Sequence, residues 1–129
     1  MSFFKSKQRI LVVEDEADIA DGLKARLELE KFEIILAKDG QSGVEKARTE
    51  KPDMIILDVM IPKIDGYDVC KILKTEIKTQ DIPILILTAL PHVEDAEKAF
   101  AAGANDFMNK PYTNDRLIHK VRKLLHLSS

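Results

Sequence analysis

Apolar residues follow two rhythms along this chain. Short runs rich in aliphatic and β-branched residues at 9–13, 32–37, 54–57 and 82–87 predict four strands, and Asp106-Phe107-Met108-Asn109 reads as a short fifth. Between them, apolar positions recur three or four apart and predict helices. The first covers about 17–30 on Ile19, Leu23, Leu27 and Leu29, and the second covers 41–50 with Val44 and Ala47 inward. The third covers 67–78 with Val69, Cys70, Leu73 and Ile77 available to the core, and the fourth covers 93–102. The last starts at its cap Thr113 and reaches about Leu127, with Leu117, Val121, Leu124 and Leu125 on one side. Asp39-Gly40 reads as a turn, Lys51-Pro52 as a helix stop and Gly103 as a helix end.

Strands that are apolar at every position, rather than at alternate ones, are buried on both faces. That implies a parallel sheet covered by helices. Right-handed crossovers then give an α/β doubly wound fold, and five strands fit the order 2-1-3-4-5. With 129 residues and 45% hydrophobic content, the chain fits a single domain with one leading segment, 1–7, and no output domain. Phe3 and Phe4 in that segment have the character to pack on the sheet or on a partner.

Charge narrows the partners. Twenty basic and 22 acidic residues leave a net charge of −2, so no basic field draws the chain to nucleic acid or to an anionic membrane. One cysteine and no long apolar segment or signal peptide point to the reducing cytoplasm. Cys70, in mid-helix, reads as a small core residue. His92, His119 and His126 read as surface residues rather than metal ligands.

Chemistry gathers where the strands end. The first strand runs into Glu14 and Asp15, the third into Asp58, the fourth into Thr88 and the fifth into Lys110. In the order 2-1-3-4-5, strands one and three are neighbours at the switch point, so Glu14, Asp15 and Asp58 converge on one crevice. Three carboxylates there repel unless a cation neutralises them, and a hard divalent ion that keeps some of its water, Mg²⁺ or Mn²⁺, suits an all-oxygen set. Thr88 and Lys110 opposite such a cation make a cradle for a phosphoryl group, with Asp58 as the nucleophile.

These same residues resemble the receiver domain of two-component response regulators along residues 8–127, a flavodoxin-like fold of the chemotaxis-regulator type. The motifs that carry the likeness are Glu14-Asp15, the block from Asp58 through Met60, Ile61 and Pro62 to Asp65-Gly66, Thr88-Ala89, and Gly103-Ala104-Asn105-Asp106 followed by Lys110-Pro111. The resemblance implies that Asp58 accepts a phosphoryl group from a histidine kinase or phosphotransfer protein. It implies Mg²⁺ bound by Glu14 through water, Asp15, Asp58 and the backbone carbonyl of Met60. It makes Thr88 and Phe107 the switch pair, Lys110 the phosphoryl's ion-pair partner, and Lys110-Pro111 a candidate cis peptide. A downstream protein is expected on the face made by the fourth helix, last strand and last helix. Phe107 has no hydroxyl, so packing alone would move its ring.

Departures within the pattern matter too. Met60 and Leu90 stand where the resembled family lines the path of hydrolytic water, and both are apolar, so self-dephosphorylation is expected to be slow. In the subfamily that dimerises through the fourth-helix face, Asp106 and Lys120 would supply one pair across the axis. Ala96, Ala102, Arg116 and Leu124 lack the other charges, which leaves a monomer or a weak phosphorylation-dependent dimer. A haloacid-dehalogenase-type phosphatase would need an acid at Met60, and a dinucleotide-binding domain would need glycines where Glu14-Asp15-Glu16 stand. A flavin carrier would need more than 5% aromatics. A phosphorylation-independent interaction module on the same fold is the serious rival, and the intact acids, Thr88 and Lys110 count against it.

Overall fold

The computed structural model describes residues 7–59, 65–88 and 93–127, without the side chains of 93–95. Ten elements alternate in the order β1 (Arg9–Val13), α1 (Ala17–Leu29), β2 (Glu33–Ala37), α2 (Gly40–Glu50), β3 (Met54–Asp58), α3 (Gly66–Thr75), β4 (Ile84–Thr88), α4 (Val93–Ala101), β5 (Asp106–Asn109) and α5 (Asn114–Leu124). All strand pairs are parallel and the sheet order is 2-1-3-4-5, as the apolar strands imply.

Alternation along each strand divides the core into two layers. Leu11, Val13, Ile55, Leu57, Ile84 and Ile86 face α2, α3 and α4, where Val44, Ala47, Val69, Leu73 and Ala99 meet them. Ile10, Val12, Met54, Ile56, Leu85, Leu87 and Met108 face α1 and α5, and pack on Leu23, Leu27, Leu117 and Val121. β3 and β4 are buried along their whole length. Each large aliphatic side chain so buried contributes roughly 1.5–3 kcal/mol, which makes these two strands the rigid base for whatever their ends carry.

Loop chemistry sets the helix starts and stops. Thr113 caps α5 by accepting from Arg116 N at 3.2 Å. Gly103, at φ 95°, ends α4 in a left-handed conformation that suits glycine. Asp39 and Gly40 do not form a free turn: Asp39 caps α2 by accepting from Ser42 N at 2.8 Å, and Gly40 is the first helical residue.

Several sequence expectations need correction. α3 stops at Thr75, not at 78, because Glu76 adopts extended backbone and Thr79 Oγ1 donates to Leu73 O at 2.6 Å. Ile77 is therefore 87% exposed instead of core, and Leu29 at the end of α1 is likewise exposed. β4 begins at Ile84, two residues after the apolar run does. α5 ends at Leu124, so His126, with φ 58°, lies beyond the helix that was to carry both histidines. His119 and His126 are exposed, while His92 lies outside the described residues.

Candidate functional site

Glu14, Asp58 and Lys110 are the next positions in the alternation that sends Val12, Ile56 and Met108 toward α1 and α5. Parallel pairing of β1 with β3 puts the first two beside each other at the carboxyl edge of the sheet. Lys110 completes the group: its Nζ lies 2.5 Å from Asp58 Oδ2 and 3.8 Å from Glu14 Oε1. Among the described residues the buried polar or charged side chains are Glu14, Asp58, Thr79 and Thr88. Thr79 is spent on ending α3, so the remaining three all sit at this edge.

Burial without full pairing leaves the site electrostatically uneven. Glu14 is 3% exposed, and its carboxyl is pushed up to about 7, first by burial and then by Asp58. Glu16 N, which donates to Glu14 Oε2 at 3.2 Å, and Lys110 only partly offset this. Burial disfavours the charge on Lys110, but the hydrogen bond and charge of Asp58, joined by Glu14, outweigh it and hold the ammonium above its usual range. Glu14 Oε1 is buried with no hydrogen-bond partner.

An orphaned carboxylate oxygen beside a second buried carboxylate is a fitting donor set for a hard cation. The fit is incomplete in side chains alone. Among the described residues no three His, Cys, Asp or Glu side chains gather closely enough to hold a metal, and Asp15 is exposed. Met60, whose carbonyl was expected as a ligand, lies outside the described residues, as do Ile61, Pro62, Ala89 and Leu90.

Thr88 ends β4, 1% exposed, and Lys110 N donates to its carbonyl at 2.7 Å. This main-chain link seats β5's exit against β4's. Alternation directs Thr88 to the other layer, with Ile84 and Ile86, and the Ile86–Phe107 register puts Phe107 on that side as well. The Lys110-Pro111 peptide is cis, as expected.

One contributor was not singled out in the sequence. Tyr112 lies close enough for its hydroxyl to be held above its usual range, by burial first, with Lys110 opposing and Glu14 and Asp58 adding. A Lys-Pro-Tyr run leaving a strand is the only trace of it. Gly66 opens α3 against the exit of β3, where an added Cβ would lie 2.5 Å from Val59 Cα and 2.8 Å from Asp58 O. Only the absence of a side chain lets α3 start so near the nucleophile candidate.

Comparison with known proteins points to one family. The family model described as the response regulator receiver domain matches residues 10–122. The DNA-binding dual master transcriptional regulator RpaA of Synechocystis sp. is 39% identical over 91% of this chain and 48% of its own length. The alkaline phosphatase synthesis transcriptional regulatory protein PhoP of Bacillus subtilis is 41% identical over 94% of this chain and 50% of its own. The chain thus spans about half the length of these curated relatives. Among solved structures, the receiver domain of sensor histidine kinase PA1611 from Pseudomonas aeruginosa, which has a magnesium ion in its active-site cleft, superposes with a TM-score of 0.87 at 28% identity, covering 94% of this chain and 99% of that one.

Proposed function

Since the chain belongs to the receiver-domain family of response regulators in two-component signalling, we propose that Asp58 is its phosphoacceptor and that a histidine kinase or histidine phosphotransfer protein is the donor. The observation that carries this is the buried Asp58 carboxylate held by Lys110 Nζ at the sheet's switch point. A carboxylate oxygen of Asp58 attacks the donor's phosphorus; the new O–P bond forms as the donor's N–P bond breaks, and the imidazole leaves with that electron pair. Lys110, fixed between Asp58 and Glu14, shifts from the carboxylate to the oxygens of the transferred group. The Thr88 hydroxyl offers those oxygens a second donor.

Glu14, Asp15, Asp58 and the Met60 carbonyl would hold Mg²⁺, or Mn²⁺ in its place. The cation supplies neutralisation of charge on the phosphoryl oxygens. Glu14's unpartnered oxygen and raised carboxyl support this assignment within the chain, and the magnesium site of the Pseudomonas receiver supports it by likeness.

Thr88 and Phe107 would relay the change to a downstream protein on the α4–β5–α5 face, in the cytoplasm. Among the described residues no helix is long and apolar enough to cross a membrane. Asp106 and Lys120, the one pair this chain offers across such a dimer axis, pair within the chain at 2.8 Å, which supports a monomer or a weak dimer on this face. The catalysis assigned is the domain's own phosphotransfer and slow dephosphorylation. Incubation with acetyl phosphate and Mg²⁺ tests the reading by intact mass: wild type should gain a phosphoryl group and Asp58→Ala should not. No Asp58-dependent adduct would favour the phosphorylation-independent interaction module.

A further inference from the structure

Phe107 has no polar tip, so whatever sets its position must act through packing or through the main chain, and the two restraints come from different helices. The main chain is tied to α5: Phe107 N donates to Asp106 Oδ1 at 2.8 Å, and Asp106 Oδ2 accepts from Lys120 Nζ at 2.8 Å. The ring is tied to α4, where it meets Phe100 edge to face, with centroids 5.7 Å apart and planes at 86°. That geometry sets the positive edge of one ring on the negative face of the other. Phe107 is half-buried against the layer that contains Ile86, whereas Phe100 is 52% exposed.

We propose that Phe100 is a positioning residue: its ring anchors Phe107 on α4 and so sets how readily the Asp58 site takes a phosphoryl group. The inference rests on the phosphoacceptor reading above. The ring pair exists in the arrangement in which Lys110 sits on the Asp58 carboxylate itself. Thr88 and Phe107 share one side of the sheet, and a ring that left Phe100 for the Thr88 side would give up the edge-to-face contact. Losing a pair of this kind shifts such an equilibrium by about twofold to tenfold. Any ligand that favours the moved state then binds more tightly by the same factor when Phe100 is absent. Because Phe100 is half exposed, its removal opens no internal cavity, and the bias is separable from the fold.

The test uses the full chain with Phe100→Ala, Phe100→Leu and Phe100→Tyr, each checked by urea unfolding. Phenylalanine-labelled NMR, with Phe107 assigned through Phe107→Leu, reads the ring without any phosphoryl mimic. Titration with beryllofluoride in Mg²⁺ reads the site, and Mg²⁺ titration alone serves as the control. Phe100→Ala should shift the Phe107 ring resonances and tighten beryllofluoride binding about twofold to tenfold, with Mg²⁺ affinity unchanged. Phe100→Tyr, which keeps the ring edge, should behave as wild type, and Phe100→Leu should fall between. Unmoved Phe107 resonances, or beryllofluoride affinity that stays level or weakens in Phe100→Ala, would overturn the inference while leaving the phosphoacceptor reading in place. Wild type that binds no beryllofluoride would instead sink that reading, and the coupling proposed here with it.

Discussion

Lys110 Nζ meets Asp58 Oδ2 at 2.5 Å, across 52 residues of sequence, and this contact joins the exit of β5 to the exit of β3. It is also the main compensation for two buried carboxylates. Removing it in Lys110→Ala leaves Asp58 and Glu14 facing each other without its ammonium. In chelator at pH 8 the variant should lose about 1–2 kcal/mol by urea unfolding, between the values for exposed and fully buried pairs. Lys110→Arg should restore less than half of this, because a planar fork does not replace a compact ammonium in a closed crevice.

Glu14 gives the site a pH signature. Its carboxyl titrates near 7 in the folded chain against an ordinary value of 4.5, so between those values the folded form carries more proton than the unfolded one. Stability of the metal-free protein should therefore fall as pH rises through that window, with the full cost present above about 7. Glu14→Gln should flatten this dependence: near-neutral at pH 4, and stabilising by about 1–3 kcal/mol at pH 8 in chelator. Added Mg²⁺ should raise the Tm of wild type more than that of the variant. Thermal melts at the two pH values, with and without Mg²⁺, check both statements.

Gly66 should be intolerant of even one carbon. Its Cβ would press on Val59 Cα and Asp58 O, both main-chain atoms at the exit of β3, so α3 or the strand exit must move. Gly66→Ala should cost about 1–3 kcal/mol and slow phosphoryl uptake from acetyl phosphate several-fold. Gly22→Ala, where an added Cβ meets nothing within 4 Å, is the control: it should leave uptake unchanged and, as an exposed site inside α1, add about 0.5–1 kcal/mol of stability.

How far the sequence reveals this site follows from where its signals come from. Glu14, Asp58, Thr88 and Lys110 were readable because each ends a strand whose apolar run fixes its place in a parallel sheet. Phase along a buried strand is set by alternation, and alternation put three of them on one side. Asp15 was read with them as Glu14's neighbour; it lies two residues past the end of β1 and is exposed. Ile77 misled because nothing in Thr75-Glu76-Ile77-Lys78 punctuates the helix. Its end depends on a buried hydroxyl from Thr79, and Lys74 Nζ reinforces the turn by donating to Ile82 O at 2.7 Å. Phe100 and Tyr112 were invisible for a related reason: their importance lies in neighbours from other elements, which periodicity does not report.

On the proposed phosphoacceptor role, the lifetime of the phosphoryl group rests on Met60 and Leu90, which lie outside the described residues and are read from sequence alone. Met60 and Leu90 carry no polar atom to orient an attacking water. Phosphate release from the phosphorylated wild type should be slower than from Met60→Asn or Leu90→Glu, by several-fold in each case. Faster release from the wild type would contradict this.

Borohydride trapping reads the central claim most directly. An acyl phosphate on an aspartate is reduced to homoserine, which marks the residue that carried it. After incubation with a histidine kinase or acetyl phosphate and Mg²⁺, the trapped chain is digested and sequenced by mass spectrometry. The account requires homoserine at position 58, absent when Mg²⁺ is withheld. Homoserine at Asp15 or Asp65 instead, or at no position, would contradict it.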